Sequence, residues 1–152
     1  MESVVLNEGP HMVNGNTSQR YTRGLEKLGL LGGSEEAIFA ANAGVAPDLS
    51  RYVVEFAFGD LWSRPGLDPR VRQMLTIAAL TSIGDTQRQL TFHIRGALQI
   101  GVEPSEIVEV ILHCLAFAGF PRVVNAVATA RAVFDEQGVL PLPETAEPDG
   151  PR

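Results

Sequence analysis

Residues 68–84 read DPRVRQMLTIAALTSIG, and no other stretch declares its own secondary structure so completely. Asp68 is of the type that accepts from the first free amides of a helix. Pro69 supplies the fixed φ suited to the first helical position, and Gly84 stands where a helix closes in a left-handed turn. Between them Val71, Met74, Leu75 and Ala78 form a stripe at helical spacing, and further along the segment becomes apolar nearly all round. A helix of that kind is buried on several sides.

The same grammar repeats on both sides. EPSEIVEVILHCLAFAG (103–119) opens at Pro104 and closes at Gly119; FPRVVNAVATARAVFDEQG (120–138) opens at Pro121 and closes at Gly138. Upstream, TSQRYTRGLEKLG is a short helix ending near Gly29, and SEEAIFAANAG has Ser34 as its cap with acids in the first turn, where the helix dipole favours them. PDLSRYVVEFAFGDLW places Leu49, Tyr52, Val53 and Phe56 at helical spacing and must stop before Pro65. Strand alternation is nowhere convincing. The expectation is an all-α bundle of about six or seven helices spanning residues 17–138, between disordered tails at 1–16 and at 139–152, the latter proline-rich and acidic.

Bulk properties narrow the function. At 152 residues and 45% hydrophobic the chain holds one domain with a real core. A net charge of −6 without a basic run argues against nucleic acid, and no stretch reaches the roughly 18 apolar residues of a membrane span. The single cysteine, Cys114, makes no internal disulfide and sits in an apolar run as a structural thiol; with no signal-peptide pattern at the N-terminus, a cytoplasmic location is expected. His11, His93 and His113 show no metal-ligand spacing, and neither a phosphate-binding glycine loop nor a G-x-S-x-G elbow is present. Two mostly apolar helices in so small a domain leave surplus apolar faces, which predicts self-association.

The chemistry concentrates in DTQRQLTFHIRGALQIG (85–101). On a helical wheel Leu90, Ile94, Ala97 and Leu98 make the apolar stripe and His93 lies at its edge, with Gly96 and Ala97 one turn on as a small-residue patch that leaves room beside the ring. Gln89, one turn before His93, either completes a capping box with Thr86 or lines a site. Taken alone, a histidine on a half-apolar face is more often a hydrogen-bonded wall residue than a catalyst.

Context changes that weighting. The runs EFAFGDLWSRPGLDPRVRQMLTIAAL (55–80) and LTFHIRGALQIGVEPSEIVEVILHCLAFAGFPRVVNA (90–126), with GDLWSRPGL, HIRGA and AG-x-P before Asn125 as their most specific pieces, resemble the carboxymuconolactone decarboxylase family. The likeness covers nearly the whole ordered body and implies an AhpD-like helical bundle. It falls in the branch without the C-x-x-C of the related peroxidases: those positions are Thr86 and Gln89 here, and the relay acid would fall near Gln73, so dithiol peroxide chemistry is excluded.

The resemblance implies cofactor-free loss of CO2 from a γ-carboxylated butenolide. The electron pair of the broken bond enters the lactone carbonyl as a dienolate, so the substrate is its own electron sink and no metal or cofactor is called for. His93 occupies the family's histidine position as proton donor. Arg64, Arg72 and Arg95 are, in that order, candidates to hold the carboxylate, because a guanidinium fork matches two oxygens. Gln89, Trp62 and His113 complete the candidate substrate contacts. Trp62 is read first as core, and His113 as a buried, hydrogen-bonded neutral ring or a second titrating group. The family assembles as trimers or hexamers, so a homotrimer or homohexamer is expected.

Two departures bear on the substrate. Gln89 replaces a glutamate of the decarboxylases, and EKLGLLGGSEEAIFAANAG (26–44) replaces a segment carrying arginines. Both point to a less charged site, suited to a less acidic or larger molecule. Three readings stand: the catabolic decarboxylase, a relative serving as a tailoring decarboxylase, isomerase or cyclase in secondary metabolism, and a non-catalytic oligomeric scaffold. A retained His93 disfavours the last.

Overall fold

The structure, a computed structural model, describes residues 18–142, and every regular element among them is helical. The order is α1 (Gln19–Leu30), α2 (Glu35–Asn42), α3 (Pro47–Tyr52) running directly into a π-helix (Val53–Trp62), α4 (Pro69–Ile83), α5 (Gln87–Gln99), α6 (Pro104–His113), α7 (Leu115–Ala118) and α8 (Phe120–Glu136). The tail expected at 1–16 lies outside the described residues. Of the tail expected from 139, Val139 and Leu142 pack against the core, and the part beyond 142 is likewise outside.

The helix ends mostly follow their chemistry. Asp68 accepts from the Arg70 amide at 2.8 Å and Ser34 from the Ala37 amide at 3.2 Å, while Gly84, Gly101, Gly119 and Gly138 all take positive φ. The first helix ends at Leu30, next to the expected Gly29, and the chain then turns at Gly32 (φ 75°), where the Gly33 amide bonds back onto the Leu28 carbonyl. Other points differ. The helix expected over 103–119 breaks at Cys114, whose amide bonds Ile111 three residues back and whose thiol bonds the Val110 carbonyl at 3.2 Å. Thr86 forms no side-chain cap; its hydroxyl donates to the Leu80 carbonyl at 2.8 Å, so the capping box with Gln89 does not form.

The π-helix lies directly on α1. A Cβ on Gly24 of α1 would lie 2.0 Å from the Val54 carbonyl oxygen, and one on Gly59 would lie 2.2 Å from that of Arg20. The two backbones therefore touch directly, which only glycine permits. The Arg20 guanidinium grips both Asp60 carboxylate oxygens, at 3.0 and 2.6 Å, across the same contact.

Two cores result. One gathers Ile77, Leu90, Ile94, Ile107, Ile111 and Phe134 from α4, α5, α6 and α8; the other joins Leu28, Leu31, Val54 and Phe58. Each fully buried Leu or Ile contributes about 1.5–3 kcal/mol by leaving water. Helix α5 is the seam: Ile94 and Ala97 face the first core, while Phe92 and Ile100 pack on the second.

Candidate active site

His93 sits on that seam. Its Nδ1 lies 2.8 Å from the Oε1 of Gln73, which α4 delivers from a side chain with no exposed surface. The ring packs edge-on against Phe92 at 5.1 Å between centroids. Burial alone pushes the imidazole down to about 4, since low dielectric disfavours the charged form. No charged side chain among the described residues contributes to that shift, and Gln73 is non-ionisable. At neutral pH the ring is uncharged.

Gln73 belongs to a ridge that the sequence reading misplaced. Val71 and Leu75, expected to face inward, are exposed, and the buried row of α4 is Gln73, Ile77 and Thr81 at i, i+4, i+8. Among the described residues the Gln73 Nε2 and the Thr81 hydroxyl have no hydrogen-bond partner. A buried orphan donor costs about 1–3 kcal/mol, so a glutamine here is a poor choice for packing alone. The room expected beside Gly96 is taken by the protein itself: a Cβ there would stand 2.8 Å from the Gln73 Nε2 and 2.9 Å from the Leu31 Cβ. Gly96 lets α4 and Leu31 close on the histidine helix.

The other candidates scatter. Arg72 donates to the Arg64 backbone carbonyl at 2.7 Å and ties down the turn before α4, while the Arg64 side chain is exposed. Arg95, about 200° round α5 from His93, pairs on the surface with Glu136 of α8. Trp62 packs half-buried against Phe58, 6.3 Å between centroids, in the second core. Gln89 is exposed. His113 is exposed too, not buried as expected, because it lies off the Ile107–Ile111 face of α6; its ring leans on Phe117 at 5.7 Å.

Among the described residues Gln73 is the polar side chain that meets His93, and sequence reasoning had noted it merely as a missing acid. The signal that marks it is its place in line with Ile77, on the row α4 turns toward α5. A small cavity of about 20 Å³ lies two turns further along α4, between Thr81, Leu90, Arg122, Asn125 and Thr129. That is room for about one water, not for a lactone.

Residues 47–132 match the model of the carboxymuconolactone decarboxylase family. The chain is 36% identical over 128 residues to a 4-carboxymuconolactone decarboxylase of Acinetobacter baylyi, covering 83% of this chain and 95% of that one. It is 35% identical over 96 residues to the nitrosuccinic acid decarboxylase npaB of Metarhizium robertsii, covering 60% and 66% respectively. It is also 34% identical over 94 residues to an uncharacterized 15.0 kDa protein of Paracoccus denitrificans, covering 61% and 70%. With more than half its length in the family model and a relative matched almost end to end, the chain belongs to the carboxymuconolactone decarboxylase family.

Proposed function

We propose that the protein is a cofactor-independent decarboxylase acting on a γ-carboxylated butenolide or related lactone, with His93 carrying the reaction's proton. The observation that carries the reading is His93 itself: a half-buried histidine, locked by Gln73, in a chain whose named relatives are decarboxylases. When CO2 leaves, the electron pair of the C–C bond enters the lactone carbonyl and a dienolate forms. A proton held at His93 Nε2 then reaches a carbon of that dienolate. One positioned acid of this kind is worth about 10²–10⁴ in rate.

The arginines bear on the substrate. Arg95 is engaged with Glu136 and Arg72 with the Arg64 carbonyl, which leaves the Arg64 side chain as the best of the three to meet a carboxylate. A ring on which no charged side chain acts favours a substrate with few charges, as the missing arginines of residues 26–44 also do.

A second reading has its own support in the nitrosuccinic acid decarboxylase relative. A nitro group accepts the same electron pair that a lactone carbonyl does, so a tailoring decarboxylase of secondary metabolism needs no different residues. The chain acts as a homo-oligomer in either reading, a trimer or hexamer in the cytoplasm, with Phe117 (81% exposed) and Phe120 (71% exposed) covered by a neighbouring copy. Parallel assays of 4-carboxymuconolactone and nitrosuccinate, following substrate loss and CO2, test the choice. Turnover of the lactone supports the first reading, turnover of nitrosuccinate alone supports the second, and neither with a folded protein removes both substrates.

A further inference from the structure

We propose that Gln73 is a positioning residue that fixes His93 as the Nδ1–H tautomer, so that Nε2 meets the substrate without a proton. The geometry is specific. The atom facing Nδ1 is the side-chain carbonyl oxygen of Gln73, which accepts and cannot donate, so the ring nitrogen opposite it carries the hydrogen. In a neutral imidazole the other nitrogen is then the lone-pair site. The amide lies close against the histidine helix, where a Cβ on Gly96 would stand 2.8 Å from its Nε2, and the whole side chain is buried. Among the described residues, no carboxylate or guanidinium acts on the His93 ring.

The consequence rests on the decarboxylase reading and sharpens it. A neutral Nδ1–H histidine has nothing to deliver at Nε2, yet exchanging CO2 for hydrogen requires one proton. That proton enters with the substrate. An anionic carboxylate brought beside the buried ring is the counter-charge the site lacks, and it draws one solvent proton onto Nε2. On loss of CO2 the bond's electron pair rests in the dienolate, the Nε2 proton passes to carbon, and the ring returns to its neutral form.

Two-bond ¹H–¹⁵N spectra of the histidine rings in the free full-length protein test the tautomer without any substrate, so the result stands apart from whether a given lactone turns over. The wild type is expected to show His93 as Nδ1–H with Nε2 unprotonated at pH 7. Gln73→Leu is expected to lose that preference, and Gln73→Glu, whose carboxylate accepts the same hydrogen, to keep it while moving the His93 titration upward by about one to three pH units. A wild-type Nε2–H ring overturns the proposal, as does a Gln73→Leu protein with an unchanged ring. Should Gln73→Leu fail to fold, Gln73→Glu decides: an unmoved titration overturns the assignment.

Discussion

The two described histidines occupy opposite environments on neighbouring helices. His93, in the middle of α5, is half-buried between two hydrophobic cores and tied to Gln73; His113, at the end of α6, is exposed and touches Phe117. Both sit in apolar sequence, and by composition His113 in EIVEVILHCLAFAG is the more buried-looking of the two. What separates them is the face each helix turns inward. α6 presents Ile107 and Ile111 to the core and throws its histidine out, whereas α5 holds His93 against the polar ridge of α4. A run's hydrophobicity sets how much of a helix is covered, and the neighbouring helix sets which side chain is buried and held.

The largest test of that contrast is kinetic. His93→Ala is expected to lower kcat by about 10²–10⁴ on whichever substrate turns over, measured in single-turnover experiments. His93→Ala at wild-type rate would erase the distinction.

The next effect is on stability. His93 titrates near 4 in the fold and near 6.5 when unfolded. Between those values the unfolded chain binds more protons, so stability falls as pH drops from about 6.5 toward 4. The loss reaches at most about 3 kcal/mol. Urea unfolding at pH 7 and pH 4.5 checks this, with His93→Gln expected to lose that part of the acid sensitivity. A variant with undiminished sensitivity would show that the ring is not the buried neutral group described.

Gly96→Ala probes the packing around the pair. Its methyl would meet the Gln73 amide and Leu31 at under 3 Å, so a destabilisation of about 1–3 kcal/mol is expected, read as a shifted urea midpoint. The smallest effect belongs to His113→Ala, expected within about 0.5 kcal/mol of wild type in stability, as for surface substitutions generally.

Much of the fold was legible. Asp68, Pro69, Ser34 and the closing glycines mark helix ends through local chemistry that needs no tertiary partner. The π-helix was not, because VVEFAFGDLW fits helical spacing over ten residues and its contact with α1 rests on Gly24 and Gly59, far apart in sequence. The inward faces of α3 and α4 were also misread. Leu49, Tyr52, Phe56, Val71 and Leu75 look like core by spacing yet lie exposed in the single chain. Hydrophobic spacing marks an apolar face and does not say which side the neighbouring helices cover. At the site, the family's histidine was readable and its partner was not, since Gln73 gains meaning only when α4 and α5 pack antiparallel. Of the arginines offered as alternatives for a carboxylate, Arg95 is engaged by Glu136 and Arg72 by the Arg64 carbonyl, contacts that appear only once the helices pack.

The most direct test of the account is the fate of 4-carboxymuconolactone in D2O with chelator-treated wild-type protein and no added cofactor. The account predicts one CO2 released per substrate and one solvent deuterium on a ring carbon of the dienolate. A folded protein that releases no CO2, or releases it only when a metal or organic cofactor is added, would contradict it.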